Sequence, residues 1–249
     1  MSVGDRLLEL AHTDERAVLF TVVEGPQPGA RLLVLLDRDG ETIGDAPATL
    51  AALAPEIRRN GMQGVEGMKV FAEVYGPPPR LVVIGAVDTA EALCSAAGLL
   101  GWRTVVVDAR PIFATRERIP SADELIVEWP EEALDRVEPD HQTAVVVLTH
   151  DDKFDEPALK RALETEAFYI GALGSRRNQE RRRERLLEAG VSEEALDRIS
   201  GPCGLDIGAD SQPETALSIL AEILAVRAGR DGGPLKTAKQ RIHAEVETP

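Results

Sequence analysis

The residues with the most chemistry in them stand directly after short runs of Val, Ile and Leu. Asp88 and Thr89 follow Leu81–Ile84, and Asp108 and Arg110 follow Thr104–Val107. Thr149, His150, Asp151 and Asp152 follow Ala144–Leu148, and Gly174, Ser175, Arg176 and Arg177 follow Phe168–Ile170. Polar groups beyond the carboxyl ends of parallel strands are where open α/β sheets hold their ligands. Asp108 lies about 20 residues past Gly85, the place from which an acid hydrogen-bonds a ribose hydroxyl. The competing reading is a strand-end carboxylate paired with Arg110. Helix-terminal amides, the Ser175 hydroxyl and the guanidinium groups after Gly174 make a competent phosphate or carboxylate site. In that segment Ser175 and Arg176 are assigned to function, and Arg181–Arg185 to a solvated, salt-bridged helix face. His150 with Asp151 has the chemistry of a base or a metal ligand. A stable metal site needs three or four ligands, and the chain supplies no convincing others, so a hydrogen-bonded loop histidine is the better reading. Asp88 is explained by the preference for acids in a helix's first turn. Cys203 lies among Gly201, Gly204 and Gly208, near Asp206. A lone thiol there is more often a small buried apolar residue than a sulfur carrier.

The elements that must position these groups are legible as alternation. Leu81–Ile84, Gly85, a helix near Thr89–Leu100 and a second strand ending at Asp108 outline a βαβ unit. In the dinucleotide fingerprint G-x-G-x-x-G/A, Gly85 and Ala90 fill the outer positions and Val87 the middle one. A branched side chain there stands where backbone should approach a pyrophosphate, which weakens NAD(P) binding. Further strands are expected at Leu125–Val127, Ala144–Leu148 and Phe168–Ile170. Helices are expected near Glu131–Arg136, Pro157–Leu163, Arg177–Ala189, Glu193–Ile199 and Glu214–Ala228. Such alternation predicts a parallel sheet covered on both faces. In the last helix Leu217, Leu220, Ala221 and Leu224 form an i, i+3, i+4, i+7 stripe expected to dock on the sheet. Ser211 and Glu214 fit a capping box that opens it. Before the stiff Gly76–Pro79 linker, strands are expected at Val18–Val23, Leu32–Leu36 and Met68–Val74, with a helix from Pro47 to about Asn60. The fold expectation is a small N-terminal α+β domain over 1–76, a Rossmann-like doubly wound parallel-sheet domain over 80–228, and a polar tail over 229–249.

Composition bounds the partners. A net charge of -15 argues against a nucleic-acid or membrane surface. Any anion must be held by local groups. Two cysteines far apart imply no disulfide framework. The first ten residues carry Asp5 and Glu9 rather than an apolar run, so a cytoplasmic protein is expected.

Several motifs in order resemble the XdhC/CoxI family, accessory proteins of xanthine dehydrogenase and related molybdenum hydroxylases. They are Val106–Arg116, Val147–Asp151, Tyr169–Arg177, Gly204–Ala209 and Pro213–Ala216, with a weaker likeness at Thr21–Gly25 and Pro28–Arg31. The resemblance implies binding of molybdenum cofactor, support of its sulfuration and its insertion into a molybdenum hydroxylase. It also implies a homodimer, with a cysteine desulfurase as a further partner. It suggests Gly85, Asp108, Arg110, Thr149, His150, Asp151, Gly174, Ser175, Arg176 and Asp206 as the cofactor-binding set, closed on one side by Gly204–Gly208. Two positions depart from the family pattern. Ile43–Thr49 lacks the cysteine that many members carry, and Val87 replaces a glycine. The alternatives are an NAD(P)-dependent oxidoreductase and a cofactor-free adaptor.

Overall fold

The computed structural model of the chain describes residues 2–57, 59–149 and 151–238. The chain divides at the proline run into two compact units, one comprising Met1–Pro77 with the segment from Gly233, the other Pro78–Gly232.

The first unit begins with α1 (Val3–Leu10), opened by a Ser2–Asp5 capping box. Its strands are β1 (Ala17–Glu24), β2 (Arg31–Leu35), β3 (Glu41–Gly44), β4 (Gly61–Val65) and β5 (Met68–Tyr75). They form one antiparallel sheet in the order β3-β2-β1-β5-β4. The period-two alternation of β1 sends Val18, Phe20 and Val22 into one core and Ala17 and Leu19 into another beneath α1. The helix expected from Pro47 is a 3-10 helix over Ala48–Glu56 instead. Pro55 sits inside it and has no N–H to extend an α-helical ladder.

The second unit carries six parallel strands, β6 (Arg80–Ile84), β7 (Arg103–Val107), β8 (Glu124–Ile126), β9 (Thr143–Val147), β10 (Tyr169–Ala172) and β11 (Ile199–Ser200). Their order is β11-β10-β9-β6-β7-β8. Read from the other edge this is the 3-2-1-4-5-6 order of a doubly wound dinucleotide fold, with its switch point between β6 and β9. Strand residues alternate between two cores. Leu81, Val83, Val106 and Val146 face α2 (Asp88–Gly98) and α7 (Gln212–Arg227). Val82, Ile84, Val105 and Val145 face α3 (Pro130–Val137) and α4 (Asp152–Leu163). The end of α5 (Arg176–Glu188) and the short α6 (Glu193–Leu196) complete that second layer through Leu186 and Leu196.

One stripe is displaced from its expected place. The buried face of α7 is Ala216, Ile219, Leu220 and Ile223, whereas Leu217 and Leu224 are 55% and 38% exposed. Two overlapping i, i+3, i+4, i+7 sets satisfy the same periodicity. The one with β-branched isoleucines and a small alanine packs against Ala90, Leu93, Cys94 and Ala97 of α2. The capping box itself forms as expected, with the Ser211 N–H donating to Glu214 Oε2 at 2.9 Å.

Candidate functional site

Gly85 ends β6 with φ +109°, a conformation L-residues rarely adopt, and a Cβ there would stand 2.6 Å from Thr149 Cγ2. The switch point is therefore closed by direct contact between the glycine turn and the end of β9. Asp108, at the end of β7, is buried and reaches back to the same turn. Its Oδ2 accepts the Ala86 N–H at 3.0 Å, and its Oδ1 accepts the Arg110 N–H at 3.0 Å and the Arg110 Nε–H at 2.9 Å. A second guanidinium contact, from Nη2 to Oδ2 at 2.8 Å, makes the pair bidentate. Burial alone would raise this carboxyl's pKa; the Arg110 guanidinium and the two amides outweigh it and hold the group below the usual carboxylate range. The pairing anticipated between Asp108 and Arg110 is present, but in a buried setting. Every lone pair of the acid that faces the turn is engaged, so Asp108 shapes the turn. The Arg110 guanidinium is stacked 4.3 Å from the Phe113 ring centroid and 5.3 Å from that of Phe154.

Val87, the N-cap of α2, makes no side-chain cap hydrogen bond, and its side chain packs against the α2–α7 core. Asp88 does not cap either. It is 79% exposed and pairs with Arg118 at 3.1 Å. Asp151 is exposed and caps α4, accepting the Lys153 N–H at 3.2 Å. His150 lies outside the described residues.

A second buried network lies beside the switch point, on the β9–β10 side. The Thr149 hydroxyl donates to Asp155 Oδ1, and Asp155 Oδ2 accepts from Arg182 Nη2 at 2.8 Å. Arg182 Nη1 in turn donates to Gln179 Oε1 at 2.7 Å, and Gln179 Nε2 donates to the Ala172 carbonyl at 3.0 Å. Arg182 thus leaves the surface face anticipated for Arg181–Arg185 and is 5% exposed. The sequence held one signal for it: Arg182 and Leu186 are four apart and share a helix face, and Leu186 is buried. Arg183 and Arg185 do behave as expected, pairing with Asp197 at 3.0 Å and with Asp152 at 2.6 Å. Nothing in the sequence marked Asp155 or Gln179.

The Nε of Arg182 is buried without a hydrogen-bond partner. Arg182 also lines a polar cavity of about 200 Å³ with Asp152, Asp155, Asn178, Arg181 and Arg185. Ser175, at the N-terminus of α5, spends its hydroxyl on the Asn178 N–H at 3.2 Å. Arg176, Arg177 and Arg181 are exposed and, among the described residues, have no carboxylate or hydrogen-bond partner. Donors that the fold leaves unused thus gather at the carboxyl edge beyond β9 and β10.

The glycine loop after β11 is tied to that edge. The Cys203 N–H donates to the Ala172 carbonyl at 3.0 Å, and the Gly204 N–H donates to Glu222 Oε2 at 2.8 Å. The Tyr169 hydroxyl donates to the same carboxylate oxygen. Cys203 is buried, and burial with the neighbouring Glu222 pushes its thiol up to about 12. Asp206 is exposed and has no hydrogen-bond partner among the described residues, so the structure does not bring it to the others. Those residues also contain no group of three or more His, Cys, Asp or Glu arranged to hold a metal ion.

The strand order and glycine turn define a Rossmann-like domain. Comparison with known proteins gives the family. Residues 81–223 match the XdhC Rossmann domain, and the chain belongs to the XdhC family. It is 36% identical over 186 residues to the uncharacterized protein YqeB of Escherichia coli, covering 71% of this chain and 34% of that protein. It is 33% identical to a probable xanthine dehydrogenase subunit from Bacillus subtilis, covering 64% of this chain and 46% of that one. It is 32% identical to the molybdenum cofactor insertion chaperone PaoD of Escherichia coli, covering 63% and 43%. The matches thus span between a third and a half of these relatives' lengths. The crystal structure of a xanthine dehydrogenase from Bacillus halodurans superposes with a TM-score of 0.55 at 22% identity, over 96% of this chain and 98% of that one, and supports the fold.

Proposed function

We propose that this protein binds molybdenum cofactor and acts as a cytoplasmic maturation factor that inserts it into a molybdenum hydroxylase of the xanthine dehydrogenase type. The observation that carries this reading is the orphaned Arg182 Nε beside a polar cavity that the exposed, unpaired Arg181 also lines, with Arg176 and Arg177 unpaired in the first turn of the same helix. Buried donors without partners are costly and call for an acceptor. The phosphate of a pyranopterin supplies acceptors that the exposed, unpaired Arg181 guanidinium at the cavity can reach, so the residues present fit the group. Arg176 and Arg181 would hold that phosphate, with Arg182 lining the cavity behind them. The names of the relatives support the same class of cargo.

The nicotinamide alternative is the weaker one. The Ala86 amide is taken by Asp108, and Val87 stands at the fingerprint position where a glycine would let backbone approach a pyrophosphate. Sulfuration of the cofactor, as part of this proposal, draws its sulfur from a partner cysteine desulfurase. Cys94 and Cys203 are both buried, and desolvation pushes each thiol up to about 12, so neither is prepared to carry sulfur as a thiolate. A homodimer belongs to the same proposal.

The test is cofactor binding by the full chain and by Arg176→Ala and Arg181→Ala. Each substitution should weaken binding by about 1.5–3 kcal/mol, the range for a hydrogen bond to a charged group. Thermal stability should hardly move, because exposed unpaired arginines contribute little to folding. Wild-type affinity in both variants, or micromolar NAD binding by the wild type, would overturn the proposal.

A further inference from the structure

The polar cavity that Arg181 and Arg182 share is not lined by donors alone. Asp152, Asp155, Asn178 and Arg185 complete its wall, so three guanidinium groups stand with two carboxylates around about 200 Å³. Most of these charges are spent on one another. Arg182 donates to Asp155 Oδ2 at 2.8 Å and to Gln179, and the other Asp155 oxygen accepts the Thr149 hydroxyl. Arg185 donates to Asp152 Oδ1 at 2.6 Å and to Glu156. Among the described residues, three groups on the wall keep unspent hydrogen-bonding capacity: the Arg181 guanidinium, the Asn178 side-chain amide and the second oxygen of Asp152. The first is a donor, the second is both donor and acceptor, and the third is an acceptor only.

The helix dipole favours an acid in the first turn of α4, where Asp152 is the first residue. That preference accounts for its position, and Arg185 accounts for one of its oxygens. Neither calls for a carboxylate on the wall of a cavity whose uncommitted cation, Arg181, suits an anion. An anion without a proton meets Asp152 as acceptor against acceptor and charge against charge. A phosphate monoester escapes this conflict, since its second pKa of about 6 lets it keep one proton near neutrality. Its P–OH then donates to the carboxylate while its other oxygens accept from Arg181 and Asn178. Sulfate and a phosphodiester have no such proton. We propose that Asp152 is the specificity-determining residue of this cavity, admitting a terminal phosphate monoester and rejecting sulfate and phosphodiesters. The inference rests on the anion site proposed above and narrows its cargo to a ligand whose phosphate ends in the cavity.

The experiment is isothermal titration calorimetry of the full chain at pH 7 and constant ionic strength with methyl phosphate, sulfate and dimethyl phosphate. Methyl phosphate should bind saturably, and about tenfold more tightly than either of the others, the scale of one hydrogen bond to a charged group. Arg181→Ala should weaken methyl phosphate by about tenfold. Asp152→Asn should bring sulfate to within about twofold of methyl phosphate, because an amide can donate where the carboxylate only accepts. An Asp152 that served the helix alone would change all three affinities alike and leave their ratios. The proposal is overturned if the wild type binds sulfate or dimethyl phosphate as tightly as methyl phosphate, or binds none of the three. It is overturned equally if Asp152→Asn keeps the wild-type selectivity; should that variant fail to fold, Asp152→Ser carries the same test. Selective binding of methyl phosphate without binding of molybdenum cofactor would overturn the proposed cargo and leave this selectivity standing. Cofactor binding with no preference among the three anions would do the opposite.

Discussion

Asp108 shows how a residue at a ligand-binding position can be given over to the scaffold. In a dinucleotide site an acid at the end of the second strand faces a ribose. Here the carboxylate turns inward, fixes the Ala86 amide and takes both ends of the Arg110 fork. Its pKa is the result of opposing effects, burial raising it and the Arg110 guanidinium and the amides lowering it further. The folded-state value therefore lies below the unfolded one of about 3.9. A depressed carboxylate contributes its stability in full above the unfolded pKa and loses it as the pH falls through the folded pKa. Asp108→Asn should accordingly cost about 1.5–3 kcal/mol at neutral pH, the value of hydrogen bonds to a charged group. The cost should shrink below about pH 4. Urea unfolding of both proteins across that range checks it; a deficit that stays constant into acid would show that charge is not what Asp108 contributes.

At the scale of elements, α7 makes the sharpest stability prediction. Ile219 is fully buried against α2, while Leu217 points into an open groove shared with Ala96 and Leu99. Ile219→Ala should cost about 2–5 kcal/mol through lost burial and the cavity left behind. Leu217→Ala should stay within about 0.5 kcal/mol. Equal losses in thermal melts would mean that the helix packs in the other phase. The same helix shows where sequence reading stops. Its ends were legible, because a capping box is a local interaction between residues three apart. Its rotation was not, because the choice between two apolar stripes is made by α2, about 120 residues away in sequence. The three central strands of the parallel sheet, β6, β7 and β9, were legible for a physical reason as well, since strands buried on both faces read as continuous Val and Ile runs. The two-residue β11 and the glycine-bearing β4 carry no such run. The site divides along the same line. Gly85, Asp108 and Thr149 stand at strand ends and were found there, whereas Asp155, Gln179 and Arg182 lie inside helices, where an amphipathic pattern hides buried polar groups among solvated ones.

The whole molecule sets the sign of its electrostatics against its own site. With a net charge of -15, the long-range field repels an approaching anion, while the unpaired arginines at the start of α5 attract it only at short range. The two contributions separate by distance. Salt screens charges beyond a Debye length of about 10 Å at 0.1 M and affects close contacts in a partly closed cavity much less. Steering of this kind acts on association rates more than on the bound state. The association rate constant for an anionic ligand such as molybdenum cofactor should therefore rise as ionic strength increases from about 0.01 to about 0.15 M, because the repulsion is what the salt removes. A protein that binds anions through a basic surface shows the reverse. Arg176→Ala should leave the slope of that rise nearly unchanged while raising the dissociation rate, since one charge among so many alters the distant field little and the contact greatly. Stopped-flow mixing of wild type and variant with the cofactor at several salt concentrations measures both quantities. An association rate that falls steeply with salt would mean that a local positive field reaches well beyond the cavity, and that the net charge of the chain is not what an approaching ligand meets.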